Sequence, residues 1–308
     1  MTTSDRARTH TPDADLNVGL PTVPPPGPDV PSTAPPRPDS LGLAPKLAWL
    51  ARTGSRQALF TAVPLLAVFV VWQLVVSLSS YSSAILPGPV GVFRAVGEMA
   101  REGLLWFDIT TSFTRLAIGL LIGLPLGTLF GLLMGISTWW ERGLSPLLNF
   151  GLATPGIAFI PLAILWFGLS DLTVISILVV EVVLVVMLNA WTSVRGVEPA
   201  LINAARTMGV SGVELFRRVL FPGSLLGVIG GYRMAFSRAW RVLVAGELLA
   251  GVSGGLGYRI EESRTAFQAD RVYAGIIVIG IVGVLLERVV LRSFEVLTVD
   301  RWGGVRDA

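Results

Sequence analysis

NAARTMGVSGVELFRRVLFP, residues 203–222, is a polar-edged insert between two long apolar segments. Ala204 and Ala205 are small enough to let a short helix lie close against a neighbour, and Gly209 permits a sharp backbone turn behind it. Ser211 followed by Glu214 has the spacing of a capping box, in which each side chain satisfies a backbone N–H at the start of a helix. The spacing predicts a helix, a bend and a second helix, with Pro222 opening the apolar segment that follows.

The rest of the chain is strongly apolar. Of 308 residues, 52% are hydrophobic and only 15% charged, and the mean hydropathy is +0.68, which is too high for an ordinary soluble domain of this length. Apolar stretches at about 58–79, 112–136, 146–168, 172–194, 222–250 and 272–292 approach or exceed the roughly 20 residues needed to cross a bilayer as a helix. The expected fold is therefore an all-α membrane protein with about six transmembrane helices, and the insert lies in the loop between the fourth and fifth.

Composition also excludes functions. There is no cysteine, and the single histidine, His10, lies in the N-terminal tail, so thiolate or histidine metal sites and histidine acid–base chemistry have almost no material. No nucleophile–base pair presents itself, and no catalytic residue or metal ligand is predicted. Lys46 is the only lysine and has no Gly-x-x-x-x-Gly-Lys phosphate loop around it, so nucleotide is not held here in that way. The arginines are spread over loops rather than gathered with aromatics, which argues against nucleic acid.

Residues 1–45, with Pro24, Pro25, Pro26, Pro28, Pro31, Pro35, Pro36 and Pro38, read as a disordered cytosolic tail of polyproline character. Residues 46–110 would hold the first membrane helix and an extracytoplasmic connection, 111–295 the membrane core, and 296–308 a cytosolic C-terminal tail. Lys46, Arg52 and Arg56 precede the first span, Arg195, Arg206, Arg217 and Arg218 follow the fourth, and Arg288, Arg292 and Arg301 follow the last. This bias places both termini and the insert in the cytosol, although Arg94, Arg101, Arg259, Arg264 and Arg271 fall on the other side. Gly119, Gly123, Gly127, Gly131 and Gly135 form a seam for close helix packing in the second span. Pro155 and Pro161 predict a kink or unwound segment in the third.

With its position between the fourth and fifth spans fixed, the insert resembles the signature of permease subunits of ATP-binding-cassette importers of the type I architecture. That signature reads Glu-Ala-Ala, three residues, Gly, nine residues, Ile-x-Leu-Pro; here it becomes Asn203-Ala204-Ala205, Gly209 and Val219-Leu220-Phe221-Pro222. Pro199-Ala200-Leu201-Ile202, Leu165-Trp166-Phe167-Gly168-Leu169 and Val244-Ala245-Gly246-Glu247 look like the branch handling nitrate, taurine, aliphatic sulfonates or bicarbonate. The resemblance covers roughly residues 81–295 and implies that Asn203, Ala204, Ala205, Gly209 and Pro222 belong to a coupling helix docked on a cytosolic ATPase. It further implies ATP bound on that partner rather than on this chain, an extracytoplasmic substrate-binding protein, a permease homodimer and a place in the cell membrane. Asn203 stands where the family has glutamate, which replaces a charge-assisted contact with a weaker neutral one.

Charges inside the spans point to the translocation pathway. Arg233, Arg238, Arg241 and Glu247 lie in the fifth span and Glu181 in the fourth, where each is expensive unless it meets an opposite charge or water. Arg238 and Arg241 share a helix face at a depth comparable with Glu181. Two readings stay open: a structural ion pair, or arginines left to meet an anionic solute. Arg233, nearer the insert, would snorkel or touch it. Trp72 and Trp166 are expected as bilayer-interface markers. The rivals to an ATP-driven permease are a secondary transporter or channel driven by an ion gradient, and a membrane scaffold without transport.

Overall fold

In a computed structural model the chain is described over residues 63–302 except positions 65 and 83, with side chains up to Val289. The proline-rich tail expected over 1–45 and the start of the first predicted span lie outside the described residues. Pro64–Ala308 is one compact unit, and the elements below belong to it.

Among the described residues every regular element is helical. α1 is Leu66–Leu78, α2 Pro89–Arg101, α3 Leu104–Ile136, α4 Thr138–Ala153, α5 Ile160–Phe167 and α6 Asp171–Arg195. They are followed by α7 Pro199–Thr207, α8 Gly212–Leu215, α9 Phe221–Leu249, α10 Leu256–Thr265 and α11 Ala269–Trp302. α3, α6, the run Gly212–Leu249 and α11 are each long and apolar enough to cross a bilayer. α4 with the segment through α5 makes a fifth, bent by 99°. α1 is a shorter apolar helix at the place of the first predicted span.

The bend follows from sequence. Pro155 and Pro161 each lack a donor, so the ladder breaks at Thr154, a 3-10 turn runs Gly156–Phe159, and Pro161 sits in the first turn of α5. A bent span needs neighbours to satisfy its broken backbone, and this one packs on α6 and α9.

α3 and α6 form the most extensive helix pair, and the glycine seam is the reason. An ideal Cβ on Gly119, Gly123, Gly127, Gly131 or Gly135 would lie 2.9, 2.6, 2.7, 2.6 or 2.5 Å from a side-chain atom of Leu178, Val182, Val186, Ala190 or Val194. Each glycine therefore receives one residue of an i, i+4 ridge on α6, and the axes approach closer than any side chain on α3 would allow. Leu178, Val182, Val186 and Ala190 are fully buried as a result. The opposite face of α3 leaves Leu121 and Leu129 exposed, as expected of a surface solvated by lipid rather than water.

α2, α1 and α11 close a smaller cluster of Val92, Ala95, Met99 and Ala274. Trp72 stacks on Tyr273 at 6.1 Å there, so it fills a packing site instead of only marking an interface. Trp166 is 68% exposed, as an interface marker should be. α3 starts eight residues earlier than the span read from hydropathy, because Leu104–Phe107 continue the helix past the polar Asp108. α11 continues helically to Trp302, beyond the end of the predicted core at 295.

Candidate functional site

The two ends of the α3–α6–α9 bundle are built differently. At one end α7 begins at Pro199, where a missing N–H is harmless. It stops at Gly209, whose φ of +83 suits glycine. Gly209 N donates to Arg206 O at 2.9 Å and Val210 N to Ala205 O at 3.0 Å, the paired bonds of a Schellman turn. The helix, bend and second helix expected from the insert are thus present.

Two details differ from expectation. Ser211 is the residue before α8, but its side chain makes no capping bond. Glu214 turns forward to Arg218 in an i, i+4 ion pair of 2.8 Å rather than back to the serine. Ser211→Ala is consequently expected to change thermal stability by less than about 0.5 kcal/mol, where a working cap would lose about 1 kcal/mol. The second difference is in the alanine pair. Ala205 is buried against its own chain, whereas Asn203 and Ala204 face outward with Leu201, Met208 and Val213. From α8 the chain runs through a π segment, Phe216–Leu220, into α9 with Pro222 in its first turn. The wider turn absorbs the donor that proline lacks, so α8 to α9 reads as one continuous run.

At the far end of the bundle a polar network is built around buried groups, with Asp171 at its exposed edge. Asp108, Ser112 and Glu247 are fully buried and Arg115 is 2% exposed. Arg115 Nη1 donates to Glu247 Oε1 at 2.7 Å and to Gly254 O at 2.8 Å. Nη2 donates to Asp171 Oδ1 at 2.7 Å and to Ser253 O at 3.2 Å, and Nε donates to the same Asp171 oxygen at 3.1 Å. All five guanidinium hydrogens are used. Ser112 Oγ donates to the Glu247 carboxylate and accepts from Leu256 N at 2.9 Å, while Gly257 N donates to Glu247 Oε2 at 3.0 Å. Asp108 accepts from Arg259 Nε at 2.7 Å and from Gly255 N at 3.1 Å.

Burial alone would lower the pKa of the Arg259 guanidinium, but the hydrogen bond and charge of Asp108, with Glu262, hold it above its ordinary value. Of the remaining arginines on this side, Arg264 pairs with Glu261 and Arg271 with Glu102.

Glu247, read from the sequence as a pathway candidate, lies in this network, with its oxygens taken by Arg115, Ser112 and Gly257. Arg115 and Asp108 were not singled out from the sequence. Their signal was the spacing: Arg115 stands four residues before Gly119, and Ser112 and Asp108 follow at three and four residues further back, the i, i+3, i+4 steps that keep them on the face of the glycine seam.

The other intramembrane charges gather elsewhere. Arg233, Arg238 and Arg241 share one exposed face of α9, and with Gly230, Met234, Ser237 and Glu287 of α11 they line a cavity of about 460 Å³. Arg233 joins this cavity. Arg238 Nη1 lies 3.6 Å from Glu181 Oε1, with the arginine half-exposed and the glutamate 14% exposed. Glu181 backs onto the broken span, where a Cβ on Gly156 would sit 2.8 Å from Glu181 Oε2. A face with three guanidinium groups cannot border hydrocarbon cheaply, at about 2.5–3.5 kcal/mol for each arginine near the bilayer centre. It must border water or protein.

The model of the family described as "binding-protein-dependent transport system inner membrane component" matches residues 123–295, which takes in the seam from Gly123 on, the bent span, α7 and the arginine face. The chain belongs to this family. It is 34% identical over 232 residues to SsuC of Escherichia coli (strain K12), named for the transport of aliphatic sulfonates, covering 73% of this chain and 88% of that protein. SsuC of Bacillus subtilis (strain 168), which bears the same name, is 33% identical over 220 residues, 71% of this chain and 79% of that one. The taurine transport system permease protein TauC of Escherichia coli (strain K12) is 30% identical, covering 76% and 86%.

A chain of the MetNI methionine ABC transporter superposes with a TM-score of 0.51 at 20% identity, over 63% of this permease and 94% of that chain. A chain of an amino acid ABC transporter superposes with a TM-score of 0.53 at 16% identity, over 65% and 95%. This permease is thus the membrane subunit of an ATP-driven importer with the type I fold. Membership implies an ATPase on another chain and a substrate-binding protein, and it decides against the ion-driven rival.

Proposed function

We propose that the permease imports a small anion of the sulfonate class, driven by an ATPase that docks on α7. The observation behind the anion is the arginine face of α9, which presents three guanidinium groups to a cleft inside the spans. The planar fork of arginine suits a sulfonate or carboxylate oxygen pair, and relatives named for aliphatic sulfonates and taurine support the same class.

Coupling follows the chain. The outward surface of Asn203, Ala204, Leu201 and Met208 receives the ATPase, and shape carries the docking because Asn203 brings no charge. The turn at Gly209 fixes the angle of α7 to α8. Because the run from α8 into α9 is continuous, a displacement of α7 reaches the helix that bears Arg238 and Arg241. The permease works as a pair of copies, each with its own arginine cleft, and both termini lie with α7 in the cytosol, following the arginine bias. Nucleotide on the ATPase and solute in the cleft then act on one equilibrium, binding the inward-open and outward-open forms with different affinity.

The test is Gly209→Val in the importer reconstituted with its ATPase and binding protein, with ethanesulfonate as the solute. A Cβ at Gly209 meets nothing within 4 Å, so valine acts through left-handed strain alone, about 1–2 kcal/mol. Uptake is expected to fall at least about tenfold with a misangled α7, while Gly209→Asn, which tolerates that backbone region, stays near the parent. Unchanged uptake and unchanged substrate-stimulated hydrolysis in the valine form would refute the coupling role.

A further inference from the structure

Two acid–arginine contacts in the spans are built to different standards. Glu247 and Arg115 meet at 2.7 Å with every donor filled, whereas Glu181 and Arg238 stand 3.6 Å apart, too far for a hydrogen bond. A pair kept only for packing would be expected to close. This one stands open, with the carboxylate against the break at Gly156 and the guanidinium half exposed at the cleft.

The cleft's charges add up to a simple number. Arg233, Arg238 and Arg241 line the cleft with three positive charges and Glu287 with one negative, Glu181 behind Arg238 adds a second negative, and 3 − 2 leaves a surplus of one. The volume of about 460 Å³ falls within the roughly 300–1,000 Å³ typical of small-molecule sites. A monoanion brings such a site to neutrality. A dianion overshoots it, and inside a low-dielectric span an uncompensated charge is heavily penalised.

We infer that Glu181 is the charge-setting residue of an oxyanion site on α9: it neutralises part of the arginine face, so that the cleft accepts a monoanion of the alkylsulfonate type and discriminates against a dianion such as sulfate. The inference rests on the anion reading above and adds its selectivity. Glu181 touches no solute in this scheme. It holds Arg238 at a distance from which a sulfonate oxygen can take over the guanidinium, and it stays behind as the fixed negative charge.

The experiment measures binding of ethanesulfonate and of sulfate, at matched ionic strength, to the permease–ATPase complex in lipid nanodiscs without the binding protein, alongside ethanesulfonate uptake by the complex in proteoliposomes supplied with the binding protein. In the parent, ethanesulfonate is expected to bind at least about tenfold more tightly than sulfate, an effect of one unit charge in a partly screened site. Glu181→Gln raises the surplus to two and should shift the ratio about tenfold toward sulfate. Glu287→Gln, at an exposed position with little packing to disturb, should shift it in the same direction. Glu181→Asp keeps the count and should keep the parental ratio. Arg238→Gln should weaken both anions, and Glu181→Gln with Arg238→Gln together should return the surplus to one and the ratio toward the parent.

A folded Glu181→Gln complex with an unchanged ratio would overturn the inference, as would loss of thermal stability in Glu181→Gln and Arg238→Gln without any change in selectivity. Uptake of ethanesulfonate alongside an unchanged ratio sinks the selectivity role alone. No uptake of ethanesulfonate and no binding of either anion sinks the anion reading, and this inference with it.

Discussion

Glu247→Leu is expected to lower the stability of the folded permease by about 3–5 kcal/mol, the usual loss when one partner of a buried ion pair is removed. The leucine would strand the Nη1 group of Arg115, fully enclosed beneath Gly254, and would leave Ser112 Oγ and Gly257 N without their acceptor. Asp171 cannot take over, because it already binds Nε and Nη2 of the same guanidinium. Arg115→Met should be damaging for the reciprocal reason and should also free the carbonyls of Ser253 and Gly254.

The combination Arg115→Met with Glu247→Leu removes both buried charges, while Asp171, 60% exposed, can hydrate. It should be less unstable than the sum of the single changes, by a coupling of about 0.5–3 kcal/mol. Unfolding of the detergent-solubilised protein by heat or by graded denaturant reads all four forms. Strict additivity would mean that Glu247 and Arg115 act separately, and the closed network would lose its basis.

That network explains why the sequence disclosed one charged site and not the other. Glu181 and Arg238 sit at matching depth on consecutive spans, so their meeting follows from topology and a 3.6-residue repeat. Arg115 finds its partners across 56, 132 and 139 positions of sequence. Hydropathy placed the start of the span at Ser112, which made Arg115 look like a boundary residue and left Asp108 in a loop.

Local rules did well where the backbone itself is constrained. Pro155 and Pro161 broke the span, and Gly209 ended α7. They failed where a side chain had two acceptable partners: Glu214 had the capping-box spacing to Ser211 and also an i+4 arginine, and Arg218 won. The alanine pair shows the same limit. Periodicity sets Ala204 and Ala205 100° apart on a helix, but only the fold of the 212–220 segment decides which of them is buried.

The glycine seam offers the sharpest contrast between sites that look alike in sequence. Gly131→Val is expected to cost roughly 3 kcal/mol or more, at or beyond the upper end of ordinary overpacking. The reason is the partner: a Cβ there would lie 2.6 Å from Met187 O and 2.6 Å from Ala190 Cβ, and a backbone carbonyl inside a helix cannot rotate away as a side chain can. Even Gly131→Ala requires α3 and α6 to separate, and the neighbouring contacts of Gly127 with Val186 and Val183 O would open with them. Gly97 is also a helical glycine, in α2, but its Cβ would meet nothing within 4 Å. Gly97→Ala should accordingly be neutral or stabilising by up to about 1 kcal/mol, through the lower conformational entropy of the unfolded chain. Thermal melts of the two alanine variants in one detergent compare them directly. Equal melting temperatures would mean that α3 and α6 can part without loss, in which case close approach along the seam is not what holds the bundle together.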